Sequence, residues 1–303
     1  MMDPLSNVLS MLKPSSHYFA GLDSAGAWSF DFPGHEGLKL TVVVRGCCWA
    51  VTDDSEGPVP LKEGDCFLLN GRRRFIVSSD PQQTPEHSGR ILEAAKLNRT
   101  AVHNGGGEVF LMSGRFTFSG SHSSVLLEAL PGIIHIPSAS SKAQNLRYLL
   151  DWMMSERDSE QPGGALAVAH LAHLILLQVL RLFLETSANI PKGWFFALAD
   201  RLISPAIRAM QANPAHPWTL EELAGIAGAS RTVFAQRFKS VVGITTMDYL
   251  SLWRMLLAAD RLSACDENIS SIAFSLGYTS ESAFSTAFKR IMSCTPTQYR
   301  NRV

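Results

Sequence analysis

Between Leu223 and Ser293 one pattern is written twice, and a chain that repeats itself in this way is confined to few architectures. The first copy is LAGIAGASRTVFAQRFKSVVG (Leu223–Gly243) and the second is SIAFSLGYTSESAFSTAFKRIMS (Ser271–Ser293). Ser230, Phe234, Phe238 and Lys239 recur fifty positions later as Ser280, Phe284, Phe288 and Lys289, whereas Ala224 and Gly228 recur forty-nine later as Ala273 and Gly277. The one-residue difference falls in the turn, where an insertion is best tolerated. Each copy reads as a helix, a glycine-bearing turn and a serine-capped helix. Two helix–turn–helix units, one helix apart, imply a protein that reads two neighbouring stretches of DNA major groove.

The helical period assigns faces. Thr219 with Glu222 three residues on forms the pattern of a capping box, and Leu223, Ala224 and Ala227 supply the apolar side of the first helix. After Gly228-Ala229, Ser230 caps a helix expected to bury Val233, Phe234, Phe238 and Val241. Its opposite face carries Arg231, Thr232, Ala235, Gln236 and Lys239. Ser251–Ala264 reads as a connecting helix with Leu252, Met255, Leu256, Ala259 and Leu262 on its stripe. In the second copy Ile272, Ala273 and Leu276 mark the supporting helix, and Ser280 caps the next. There Ala283, Phe284, Phe288 and Ile291 face inward, and Glu281, Ser282, Ser285, Thr286 and Lys289 face outward. The two outward sets are the candidate DNA contacts. Glu281 either accepts from a cytosine amine or favours the positive helix N-terminus.

At 303 residues the chain has room for two domains, and 46% apolar with 18% charged residues fits a soluble globular protein. Overall charge is zero, a poor balance for a nucleic-acid binder. Residues 200–303 hold 11 Lys/Arg against 8 Asp/Glu, or +3, and residues 1–199 hold 16 against 19, or −3. A local basic face suffices for phosphate contacts. MMDPLSNVLSML lacks the basic start and apolar run of an export signal. The most apolar run, Ala167–Glu185, is interrupted by His170, His173, Gln178 and Arg181, so a buried or partner-facing helix is expected rather than a membrane span. The helix Ala165–Glu185 is apolar nearly all round, which fits packing on a second copy of the chain as well as on its own barrel. Five cysteines (Cys47, Cys48, Cys66, Cys265, Cys294), an odd count without a CxxC pair, point to a reducing cytoplasm. Cys47, Cys48 or Cys66 as oxidant sensors stand as the rival to simple strand packing.

Residues 25 to about 120 read as short strands broken by turns, the pattern of a small β-barrel or sandwich. LKLTVVVRG, CCWAVTD, CFLLN, RFIVSS and EVFLMSGRFTFSG are the strand candidates, the last as one or two strands. His17, His35, His87 and His103 lie in expected loops, and Asn104–Gly107 is read as a loop, because the Lys-Ser/Thr ending of a phosphate cradle is absent. His122-Ser123-Ser124 shows no nucleophile elbow. From about Lys142 helical spacing takes over at Leu146, Leu149, Leu150 and Met153, and TSANIPKG (Thr186–Gly193) reads as a linker. The expected fold class is therefore α+β: a β-barrel plus helices in residues 1–190, and an all-α domain with two helix–turn–helix units in residues 191–303.

IAFSLGYTSESAFSTAFKR followed by CTPTQYR, with WTLEELAGIAGASRTVFAQRF and WRMLLAADRL, resembles the signature region of the AraC family of bacterial transcription regulators. The likeness covers residues 200–303 and implies seven helices. It departs at Ser293, where a glycine is usual, and at Thr246, where a proline is usual. PLKEGDCFLLNGRRRFIV resembles a conserved stretch of the cupin barrel, around the turn Gly64-Asp65. With LTVVVRGCCW, LMSGRFTFSG, LLEALPGIIHI and GWFFALAD, it extends the resemblance to the cupin-type sensor domain of one AraC subgroup. Metal-bearing cupins use a His-x-His pair, and this chain has none; Arg74-Phe75 stands where a later His would sit. The alternative, a metal-dependent cupin enzyme fused to a DNA-binding module, is disfavoured on that ground. The resemblance implies a non-enzymatic regulator, without metal or cofactor, that binds promoter DNA. It further implies a small effector or redox signal at the N-terminal domain, a homodimer, and RNA polymerase as a partner if it activates. No effector-binding residue is assigned by the sequence.

Overall fold

In the computed structural model of the protein, all residues are described except 1, 2, 13, 54, 56, 72, 98, 119–126, 128, 129, 160, 187–192, 265, 266, 302 and 303. Two compact units result: Pro14–Phe118 with Pro131–Ser187, and Ala188–Val303 with Met1–Lys13 and Ser119–Leu130.

The first unit is built on eleven strands among the described residues: β1 Pro14–Ser24, β2 Ser29–Phe32, β3 Leu38–Arg45, β4 Cys47–Thr52, β5 Val59–Lys62, β6 Cys66–Asn70, β7 Phe75–Ser78, β8 Glu86–His87, β9 Ala101–His103, β10 Val109–Phe118 and β11 Ile133–Ile136. They form a six-stranded sheet, β11-β6-β3-β10-β1-β9, and a five-stranded sheet, β5-β4-β7-β2-β8. All pairings are antiparallel except β1 with β9 and β2 with β8. Phe30, Phe32, Val43, Phe67, Phe75 and Leu111 are among the buried residues of one cluster between the sheets. EVFLMSGRFTFSG yields a single strand, β10, and the sheet region starts at Pro14 rather than near 25. The short helix α2 (Gly89–Lys96), where strands were expected, lays Ile91 and Leu92 on the core.

The Gly64-Asp65 turn is pinned by chemistry. Gly64 holds φ 80°, a left-handed backbone that glycine adopts without strain. The buried Asp65 carboxylate accepts from the N–H groups of Lys62 (3.0 Å) and Ser138 (2.7 Å), and lies 2.8 Å from His135 Nε2. Burial alone would raise this carboxyl, but the two backbone donors and the His135 ring outweigh it and hold it below its ordinary value.

Two helices complete the unit, α3 (Gln144–Asp158) and α4 (Gly164–Thr186), packed on each other. α4 also packs on β1 and β11, and its His173 ring lies 6.0 Å from Phe116 of β10. By length and composition α4 could cross a membrane, with mean hydropathy 1.8. Val168, Leu171, Ile175, Leu176 and Val179 are instead buried inside this unit, while Leu166 and Leu174 remain 63% and 47% exposed. The expected linker lies largely outside the described residues, as do His122-Ser123-Ser124 and Cys265.

In the second unit the N-terminal helix α1 (Pro4–Leu12) is an element given no role by the sequence reading. It buries Leu5 and Val8, and Asn7 donates to Gln211 Oε1 at 3.1 Å. After the short α5 (Trp194–Ala197) come seven helices, the number the resemblance implies: α6 Ser204–Ala212, α7 Leu220–Ile226, α8 Arg231–Val242, α9 Thr246–Ala264, α10 Ile269–Ser275, α11 Glu281–Met292 and α12 Pro296–Arg300. Two cores form. Met210, Leu223, Phe234, Phe238, Tyr249 and Leu250 belong to the first, and Met255, Leu262, Ile272, Phe284, Phe288 and Tyr299 to the second. α9 enters both, with its first turns in one core and its last three turns in the other. It starts at Thr246, five residues before the expected start, because Thr245 caps it: the Thr245 hydroxyl accepts from the Asp248 N–H (3.2 Å) and donates to its carboxylate (2.6 Å).

Candidate nucleic-acid interface

The two helix–turn–helix units repeat in geometry as in sequence. Gly228 (φ 67°) and Gly277 (φ 82°) make the turns. The Ser230 and Ser280 hydroxyls accept from Val233 N–H (3.4 Å) and Ala283 N–H (3.1 Å), capping α8 and α11. Phe234, Phe238, Phe284 and Phe288 have no exposed surface. Tyr249 and Tyr299, again fifty residues apart, lie edge-on to Phe238 (5.8 Å) and Phe288 (5.6 Å). Both helices end in a left-handed residue, Gly243 at φ 90° and Ser293 at φ 60°, whose N–H donates to Lys239 O and Lys289 O. Ser293 therefore adopts the cap that a glycine would take more easily.

With the phenylalanines fixed inward, the outward faces follow. Arg231, Thr232, Gln236 and Lys239 of α8 are exposed and Ala235 is half-buried; Glu281, Ser282, Thr286 and Lys289 of α11 are exposed and Ser285 is half-buried. Two of these are engaged within the chain. Ser270 donates its hydroxyl to the Glu281 carboxylate, and Thr286 donates to Ser282 O at 2.9 Å, which leaves the Thr286 oxygen lone pairs as acceptors. The expected faces need one correction. Val233 is 52% exposed and Ala283 is exposed, and Val242 rather than Val241 is buried. The buried stripe is Phe234, Phe238 and Val242, at i, i+4 and i+8, so Val233 falls to its side.

Two anchoring residues, Asp200 and Arg254, escaped the sequence reading. Asp200, 7% exposed, accepts from the N–H groups of Leu202 and Ile203 (both 3.0 Å) and from Arg237 Nε at 2.9 Å, so it ties α8 to the start of α6. Arg254, midway along α9, donates to Pro214 O (2.7 Å) and His216 O (3.0 Å), and its guanidinium lies 5.6 Å from the Tyr278 ring centroid. Burial lowers its pKa from the usual arginine value, and burial raises that of Tyr278. A Cβ on Gly277 would stand 2.3 Å from Ala215 O. The loop before the first unit is thus pressed against the turn of the second, with Arg254 clamping both. Only a glycine whose φ is positive at that turn gave a sequence signal; the arginine's partners are forty residues away.

Comparison with known proteins agrees over both halves. A cupin family model matches residues 3–185 and a helix-turn-helix domain model matches residues 223–302. An AraC-like transcription regulator of Streptomyces antibioticus is 38% identical over 299 residues, covering 99% of this chain and 98% of its own. The HTH-type transcriptional regulator AlkR of Acinetobacter baylyi is 30% identical over 311 residues, covering 99% and 100%. The solved DNA-binding domain of AdpA, in complex with a target DNA, is similar at 27% identity over 32% of this chain and 87% of its own, with a TM-score of 0.31. The chain is a DNA-binding transcription regulator and not an enzyme, and it belongs to the AraC family, with a cupin-type N-terminal domain.

Proposed function

We propose that α8 and α11 enter neighbouring major-groove segments of a promoter. Arg231, Thr232, Ala235, Gln236 and Lys239 are the groove-facing set of the first unit. Glu281, Ser282, Ser285, Thr286 and Lys289 are that of the second. The observation that carries this reading is the repeat of serine cap, buried phenylalanine pair and left-handed end, which gives both helices the same polar outward face. Lys239 and Lys289, in the last turns, suit phosphate contact, and Gln236 and Thr286 suit base edges. Val233 and Ala283 add apolar surface of the kind that meets a thymine methyl. The Ser270 bond to Glu281 favours its helix-terminal role over cytosine readout.

In this reading residues 1–190 form the sensor, apart from α1, which packs with the reader helices, and residues 191–303 form the reader. A small effector bound in the sensor controls DNA binding in the cytoplasm, with RNA polymerase as partner where the protein activates. Burial argues against two of the three candidate redox thiols: it pushes Cys48 up to about 12 and raises Cys66 further, and a protonated thiol is a poor nucleophile, which leaves the exposed Cys47 as the redox alternative. The protein acts as a homodimer through α4, which is supported by the exposure of Leu166 and Leu174 on α4 and of Tyr148 and Trp152 on α3. The test is base preference. Gln236→Ala and Thr286→Ala each relax one position of the bound site by ~1–3 kcal/mol, measured by competition binding of the full chain against single-base variants. Equal weakening on specific and random DNA overturns these assignments.

A further inference from the structure

A cavity of about 390 Å³ lies inside the barrel, walled by both sheets and by α2. Its surface is mostly apolar, from Phe32, Phe67, Phe75, Leu111 and Ile91. Lys39 is set into that wall. On β3, Lys39 and Thr41 line the cavity and alternate with the buried Leu38 and Leu40 on the opposite face. The ammonium sits 4.2 Å from the Phe32 ring centroid and 4.8 Å from that of Phe75, two rings stacked 4.8 Å apart. The rings stabilise a cation by their quadrupoles but accept none of its three donors as a carboxylate would.

The other polar groups of the cavity do not neutralise it. Arg115 donates from Nε and Nη2 to Glu36 O, at 3.2 and 3.0 Å. Glu93 pairs with Lys96 at 2.7 Å, and the Thr41 and Ser113 hydroxyls bond each other at 2.9 Å. His35 is kept neutral, its pKa lowered by burial to about 4, and its buried Nε2 has no hydrogen-bond partner among the described residues. Burial is also the cause that lowers Lys39, to about 8, and no acid offsets it. The residue still carries its charge at neutral pH, so an inward-facing cation stands in an apolar chamber with no counter-charge among the described residues.

We propose that Lys39 is the anion-binding residue of the effector site, and that the effector is an amphipathic monocarboxylate whose apolar body fills the chamber. This rests on the reading of the N-terminal unit as an effector sensor. At roughly 30 Å³ per water-sized group, the cavity takes on the order of a dozen non-hydrogen atoms, the size of a medium-chain or aryl-alkyl acid. The carboxylate meets Lys39, and the orphaned His35 nitrogen belongs to a residue that lines the same cavity.

Calorimetric titration of the full-length protein at pH 7 tests this, with octanoate and 3-phenylpropionate set against octan-1-ol and methyl 3-phenylpropionate. The wild type binds the acids at least about tenfold more tightly than their neutral counterparts, the difference one charged hydrogen bond supplies. Lys39→Met, which keeps an unbranched apolar chain, binds acid and neutral counterpart alike, and Lys39→Arg restores the preference. A wild type with no preference for the acids overturns the proposal without need of any variant, and so does a Lys39→Met protein that keeps the preference. DNA binding measured on the same samples separates the two readings. Acid binding that leaves DNA affinity unchanged supports the site and removes its effector role. DNA binding that responds to the neutral compounds as strongly as to the acids keeps an effector role and overturns the carboxylate.

Discussion

At position 293 a serine holds the left-handed backbone that its repeat partner, Gly243, adopts freely. The conformation costs a non-glycine residue roughly 1–2 kcal/mol, partly offset because glycine is freer when unfolded, by about 0.5–1 kcal/mol. Ser293→Gly is therefore expected to stabilise the reader by up to about 1 kcal/mol, and Gly243→Ser to destabilise it, in denaturant unfolding. Phe234→Ala and Phe284→Ala each remove a fully buried ring and are expected to cost ~3–5 kcal/mol; an unchanged melting temperature would mean the faces of α8 and α11 are exchanged. Asp65 gives the barrel an acid-sensitive pin. Its folded pKa lies below the ordinary 3.8, so its stabilisation is complete above that value and is lost as pH falls through the folded pKa. Asp65→Asn should lower stability at pH 7 yet flatten its decline below pH 3.8, as urea titrations across that range would read.

Among the elements, α8 and α11 were legible because their signals are local. A serine cap, a phenylalanine four residues on and another four later fix start, phase and buried face within one helix. Where the phase rested on single apolar residues, as at Val233 and Val241, it was off by one position. β3 was legible as a strand from its β-branched run, but the orientation of Lys39 was not. A strand with one wet face turns its lysine to water; this sheet is covered on one side by the second sheet and on the other by α4, so alternation alone names two faces without saying which is the cavity. Likewise nothing near Arg254 in sequence announces Pro214 and His216. That clamp yields a prediction at its own scale. Gly277→Ala adds a methyl 2.3 Å from Ala215 O at φ 82°, so it should loosen the second unit from the first. Affinity for a full target should fall at least about tenfold, the order a strained turn of 1–3 kcal/mol implies, while binding to a half-target changes little in fluorescence anisotropy.

For the molecule as a whole, the exposed leucines of α4 put the proposed dimer to the test. Leu174→Asp is expected to give monomers of unchanged fold, because Leu174 is 47% exposed and so replaceable without opening the core. Size-exclusion chromatography with light scattering decides, and a wild type that is already monomeric at high concentration ends the idea. DNA affinity should fall linearly in log–log terms as salt rises, through phosphate contacts. The junction of Arg254, Ala215 and Gly277 has a consequence for the genome rather than the protein. On the proposed reading, a reader whose two halves are clamped in this way is expected to act as a ruler, and its promoters to keep count. Inserting about five base pairs between the two recognised segments turns one of them half a helical turn away, so spacing in these promoters will be held as strictly as the letters themselves.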